Sequence, residues 1–254
     1  MNFEIIDFHT HPFINVDNCI CRHKSTTAVS TDITPIHLSE SGIGIFCGSV
    51  INKIGEGFER EIKANSDALL LREKYGGRYE PGIMVDANFV DESCREIDKA
   101  KANGVKLVGE LVPHTYGWKC GDKGFYEILE HAKNTIPLFS IHTTWNTGIE
   151  DAVRANKDVT FVLAHPGETD SVMHHIELMK ECENVYLDIS GTGIFRFGML
   201  SQLVNDVGAE RILFGTDYPV CNPGVYVGGV LAEKIPDSAK ELIFSGNAKR
   251  LLRL

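Results

Sequence analysis

Residues 3–11 read FEIIDFHTH. A run of large apolar side chains ends abruptly in two imidazoles, His9 and His11. The run is too short for a helix and rich in Ile and Phe, so it reads as a buried strand. The same pattern returns seven times: GIGIFCGSV at 42–50, PGIMVD at 81–86, VKLVGEL at 105–111, PLFSIHT at 137–143, VTFVLAH at 159–165, VYLDIS at 185–190 and RILFGTD at 211–217. Near-continuous apolar strands are buried on both faces, which requires a parallel sheet covered by helices.

Amphipathic stretches fill the gaps, among them 57–75, 91–102, 123–134 and 170–182. Several open with acidic residues that suit a helix N-terminus, and Asn103-Gly104 reads as the stop of the second. Strand then helix, eight times over, predicts an α/β fold of (β/α)8 TIM-barrel type. No G-x-G-x-x-G follows the first strand, which weakens the alternative of an open doubly wound sheet. The chain has 254 residues, a common size for one such barrel, and no Pro- or Ser-rich linker divides it. A single domain over 1–254 is expected. Residues 13–40 form a long connection after the first strand without clear periodicity, placed where an active-site lid would sit.

Composition excludes several classes. The formal charge is −10, from 25 Lys plus Arg against 35 Asp plus Glu. That balance disfavours nucleic acid and anionic membranes as partners. No run of about 18 apolar residues suggests a membrane span, and the start lacks the basic and apolar regions of a signal peptide. Seven scattered cysteines fit reduced thiols in the cytoplasm better than a disulfide framework.

The chemistry gathers at the ends of the runs. Residues two apart on a strand point the same way, so His9 and His11 can face one point. His142 closes the fifth run, His165 the sixth and Asp217 the eighth. Barrel active sites form at the C-terminal ends of the strands, so four His and one Asp converge there. Imidazoles plus a carboxylate are a catalytic metal-ligand set. Lys106 and Glu110, four apart, are expected to share a face of the fourth strand, with Glu110 nearer the site. Other residues carry weaker signals. Trp145, His114 and Tyr116 follow strands five and four and are candidates to line a substrate pocket; Arg196 could clamp a substrate carboxylate. Asp7 and Asp188 read as supporting residues, and His174-His175 as a solvent-facing pair within a helix. Cys19-x-Cys21-x-His23 lacks the paired spacing of a structural zinc site.

The stretches IDFHTHP, IHT, AHPG, FGTDYP and the terminal GNAKRLLRL resemble the amidohydrolase superfamily, most nearly its amidohydrolase-related (amidohydrolase 2) branch, which includes aminocarboxymuconate-semialdehyde decarboxylase. The resemblance implies a metal-dependent barrel with His9, His11, His142 and Asp217 as ligands in a mononuclear scheme, and His165 as the proton-transfer residue. It also suggests a homodimer. The Gly109-Glu110 pair departs from that scheme and is similar to TatD-like deoxyribonucleases, where a strand-four Glu helps hold two metals. Glu110 then either bridges two ions or orients a ligand His. The implied activity is hydrolysis of a small-molecule amide, lactone or ester by a metal-activated water. Zn2+ is the first expectation, with Mn2+ or Fe2+ also suited; one or two ions remain open. Asp217 and His165 would handle protons. The alternatives are a non-oxidative decarboxylase of a small carboxylic acid, a TatD-like phosphodiesterase, and a metal-containing binding protein.

Overall fold

The computed structural model describes residues 3–23, 25–27, 29–53, 55–142 and 145–254. Eight parallel strands run in sequence order around one sheet: β1 Ile6–Asp7, β2 Ile45–Ser49, β3 Tyr79–Ile83, β4 Leu107–Leu111, β5 Leu138–His142, β6 Thr160–Ala164, β7 Val185–Asp188 and β8 Ile212–Leu213. The longest ladder pairs β5 with β6, from Leu138 opposite Thr160 to His142 opposite Ala164. Closure from β8 to β1 comes through the Phe8 N–H, which donates to the Phe214 carbonyl at 2.8 Å, and a parallel bridge between Thr10 and Tyr218. The result is a single-domain (β/α)8 TIM barrel, as the eight apolar runs imply.

Ten α-helices are seen among the described residues: α1 Thr34–Glu40, α2 Glu59–Tyr75, α3 Val90–Ala102, α4 Lys123–Ala132, α5 Ile149–Ala155, α6 Thr169–Glu181, α7 Met199–Val207, α8 Pro223–Ala232, α9 Asp237–Glu241 and α10 Asn247–Leu252. In α3, Asp91 and Glu92 open the helix and Lys99 and Lys101 close it, each charge opposing the helix dipole. A large apolar cluster lies between helices and sheet. A smaller one, with Ile6, Cys47, Leu107, Leu138, Val162 and Leu213, fills the barrel, and Ala248 and Leu252 of α10 close it from below.

Three sequence expectations change. The third strand begins at Tyr79, two residues before the apolar run, because Tyr79 is fully buried although charged neighbours disguise it. The connection at 13–40 is not loop throughout: it holds a 3-10 turn at Val16–Asn18 and helix α1. Tyr75 donates to the Thr31 carbonyl, and Arg78 reaches the Pro35 carbonyl and Ser39, so the later part is fastened to the barrel wall. Finally, spacing does not place Lys106 and Glu110 on one strand face. β4 starts at Leu107, and its ladder to β5 slips between Val108 and Leu111. Strict alternation would put Glu110 on the side of Val108, among the helices; the slip, with Gly109 at φ +99°, brings it to the rim. Thr143, at the end of the fifth run, lies outside the described residues.

Candidate metal centre

His9 and His11 emerge from β1 with their ring Nε2 atoms 3.1 Å apart. Their other nitrogens are engaged from behind. His11 Nδ1 lies 3.0 Å from the Ser49 carbonyl, which can only accept, so the hydrogen sits on Nδ1. His9 Nδ1 lies 2.9 Å from Asp188 Oδ2 and carries its hydrogen for the same reason. Each Nε2 of the neutral rings is therefore left with a lone pair, and the two lone pairs converge. A partner behind a ring sets the tautomer in front of it. Two facing lone pairs repel unless a proton or a metal cation lies between them, and the carboxylates beside His9 favour positive charge there.

The remaining donors complete the cluster. Glu110 Oε2 stands 3.3 Å from His9 Nε2 and 3.2 Å from His11 Nε2, and Asp217 Oδ1 stands 3.8 and 3.5 Å from the same atoms. The other Glu110 oxygen, Oε1, lies 3.2 Å from His142 Nδ1 and 3.2 Å from His165 Nε2. His9, His11 and Asp217 form one group with ligand-like spacing, and Glu110, His142 and His165 another. Nitrogen and carboxylate donors facing inward from five strands fit a divalent transition metal.

Burial and charge act against each other here. Burial alone would favour a neutral Glu110, but the surrounding imidazoles, His9 foremost, outweigh it and hold the carboxyl well below its usual range. Burial opposes a charged His9, yet Asp188 and Glu110 raise its pKa. Asp217 is raised by burial more than His9 and His11 lower it. Behind the cluster, burial pushes Asp7 up to about 7. Asp7 accepts from the backbone N–H groups of His9 and Thr216 and from the Thr216 hydroxyl at 2.5 Å, which locks the ends of β1 and β8 together.

The backbone is bent to make this site. His165 and Asp217 have φ of +68° and +63°, a region that costs a residue with a side chain roughly 1–3 kcal/mol. Two glycines permit the close approach of neighbours. A Cβ on Gly191 would lie 2.3 Å from His165 Nδ1, and one on Gly215 would lie 2.8 Å from the His9 Cβ. Ser190 binds His165 Nδ1 and His9 Nδ1, both at 3.0 Å, and donates to Asp188.

A cavity of about 560 Å³ opens beside His142, His165 and Asp217, lined also by Trp145, His175, Phe195 and Tyr226. Of the pocket candidates, Trp145 lies here. His114 lies on the other side of His142, ring centroids 5.2 Å apart. Tyr116 is packed under the Arg60 guanidinium, 4.1 Å from the ring. Arg196 is turned to the surface and paired with Glu168. The solvent-facing expectation holds for His174 and fails for His175, which is 1% exposed. Its Nδ1 donates to the Ser171 carbonyl at 2.7 Å, and burial lowers its pKa to about 4. Helical spacing carries that signal, since Val172, His175, Ile176 and Met179 are all buried on one face of α6. Phe195 and Tyr226 carried no comparable signal in the sequence.

A family model described as Amidohydrolase matches residues 57–254. Solved structures share the whole fold. 2,6-Dihydroxybenzoate decarboxylase from Rhizobium is 16% identical with a TM-score of 0.76, covering 100% of this chain and 99% of its own. 5-Carboxyvanillate decarboxylase from Sphingomonas paucimobilis is 16% identical, TM-score 0.73, covering 99% of each chain. A dihydroxybenzoic acid decarboxylase from a Polaromonas species, with bound manganese and the inhibitor 2-nitroresorcinol, is 17% identical, TM-score 0.72, covering 100% of this chain and 98% of its own. At these identities the likeness shows the fold alone. No curated protein sequence matches the chain.

Proposed function

We propose a function from one premise: the chain belongs to the amidohydrolase family. The reading is a metal-dependent hydrolase acting on an amide, lactone or ester in a small, largely apolar molecule. One observation carries it. Glu110 divides its two oxygens between two pairs of imidazoles, His9 with His11 and His142 with His165. That division would suit a carboxylate shared between two ions. His9, His11 and Asp217 would hold one ion, His142 and His165 the other, with Glu110 shared. Zn2+ and Mn2+ both suit this donor set.

A divalent ion bound there would act as a Lewis acid, bringing the pKa of water from about 15.7 to about 7 and polarising the oxygen under attack. The chain supplies the rest. Asp217, made more basic by burial, takes the proton of the attacking water. Asp188 and the Ser49 carbonyl hold the imidazoles of β1 in their tautomers, and Ser190 holds His165. Trp145, Phe195 and Tyr226 offer flat apolar surface to the substrate, and no Lys or Arg lines the cavity among the described residues. An anionic group of a substrate would therefore be met by a bound ion and not by a cationic side chain.

A second reading is decarboxylation of a small aromatic acid at the same centre. The activities named for the structural relatives favour it. Metal counting and a substrate screen separate the two. Two ions per chain, with turnover of neutral aryl esters, lactones or amides, supports hydrolysis. One ion per chain, with CO2 release from hydroxybenzoates, replaces it with decarboxylation. A chain that binds metal but turns over neither class overturns both readings and leaves a binding protein.

A further inference from the structure

The end of the barrel away from the imidazoles holds a second, unrelated cavity of about 440 Å³. It lies where β4, β5 and β6 begin and where α10 ends. Lys101, Lys106, Arg250 and Arg253 surround it. In a chain of net charge −10 with 25 Lys and Arg, eleven basic side chains have a carboxylate partner among the described residues, as Lys63 has Asp67, Lys74 has Asp32 and Arg154 has Glu181. None of these four has a carboxylate within 4 Å among the described residues, and no acidic side chain lines the cavity.

Helix ends account for only part of this charge. Lys101 lies in the last turn of α3 and Arg250 in the last turn of α10, and each helix C-terminus presents about half a negative charge. Two such ends offset roughly one of the four positive charges. Arg250 is also held in place by neutral acceptors only: the Glu210 carbonyl, Asn247 Oδ1 at 3.2 Å and the Tyr186 hydroxyl at 3.5 Å. Its charge is oriented without being neutralised. The remaining wall is mixed, with Ile136, Pro137 and Leu251 as its apolar part beside Thr135 and Thr160.

We propose that this cavity binds a small organic phosphate, its phosphoryl group among the four cations and its apolar body against Ile136, Pro137 and Leu251. Guanidinium and ammonium groups together match a phosphate dianion in charge and hydrogen-bonding geometry. The volume lies within the ordinary range for small-molecule sites. The site does not depend on the hydrolase reading, because it shares no residue with the imidazole cluster.

Titration calorimetry of the metal-loaded protein with 1-naphthyl phosphate tests it, with 1-naphthol and inorganic phosphate as the two halves of the probe. One molecule of naphthyl phosphate per chain is expected, with each half at least about tenfold weaker. Lys106→Gln combined with Arg250→Gln should weaken binding by about tenfold or more, and Asp217→Asn should leave it unchanged. Lys101→Glu, on an exposed helix end, gives the same reading if the double variant fails to fold. Absence of saturable binding, indifference to the charge substitutions, inorganic phosphate binding as tightly as the ester, or loss of binding in Asp217→Asn would each overturn the proposal.

Discussion

The two pairs of imidazoles on either side of Glu110 are built differently. His9 and His11 are 2% exposed, and each has its rear nitrogen engaged, by Asp188 and by the Ser49 carbonyl. His142 has a side chain 33% exposed and turns toward the cavity, while His165 rests on Ser190. The inner pair is a rigid half-site whose geometry precedes any ligand. His142 is the open member of the outer pair, with room for a substrate beside it. On the proposed two-ion reading, Glu110 would link a firmly held inner ion to an outer one that exchanges partners, and the chelator-sensitive ion should be the outer one.

The largest break of this comparison is Glu110→Gln. A neutral amide cannot bridge two cations, and it leaves four imidazoles without their shared counter-charge. Metal content should fall from two ions per chain to one or fewer, and kcat/KM by about 10³-fold or more, roughly 4 kcal/mol of transition-state stabilisation. Elemental analysis beside steady-state kinetics checks it. Two retained ions with normal turnover would reduce Glu110 to an orienting residue.

A second effect belongs to the outer side. His175 is buried neutral beneath the cavity, with its pKa lowered to about 4 by burial. The unfolded chain, with an ordinary imidazole near 6.5, binds more protons than the native state between those values. Stability contributed by this group is complete above about pH 6.5 and is lost as pH falls toward 4. The full loss is on the order of 3 kcal/mol. Thermal unfolding of the wild type and His175→Gln from pH 7 to pH 4.5 should show a steeper fall for the wild type; parallel curves would mean that His175 does not titrate on unfolding.

Asp188→Asn sharpens the inner half. It keeps the shape of the group behind His9 but removes its charge and allows the opposite ring tautomer. Such outer partners of ligand imidazoles typically govern 10- to 100-fold of metal affinity. Competition with a chromogenic chelator should find the tighter ion weakened by roughly that factor, and the weaker ion less affected, through Ser190, which joins Asp188 to His165.

The barrel was legible because eight apolar strands, each buried on both faces, leave an unambiguous trace. His9, His11, His142, His165 and Asp217 were legible because each interrupts such a run at its polar end. What escaped was set by backbone irregularity or by distant packing. Glu110 was legible as a candidate, from its place near the end of the fourth run and from the Gly109-Glu110 pair, but the slip in β4 that carries it to the cluster is one that no two-residue alternation encodes. Phe195 and Tyr226 meet the cavity from connections whose course depends on the whole barrel. His175 was readable in principle, since the buried spacing on α6 contains it, but the exposed His174 beside it masked the pattern.

Gly191→Ala probes the finest element of the comparison, the tight seat of His165. Position 191 has φ of +62°, and a methyl there would stand 2.3 Å from His165 Nδ1, where the Ser190 hydroxyl now binds. The strained backbone alone costs about 1 kcal/mol, and the clash must push the ring off Ser190, for a total near 1–3 kcal/mol. Because the movement falls on His165 and not on His9, the inner ion should keep its affinity while the outer one loosens. A variant with a lowered Tm and both ions equally weakened would show that the two half-sites are one mechanical unit.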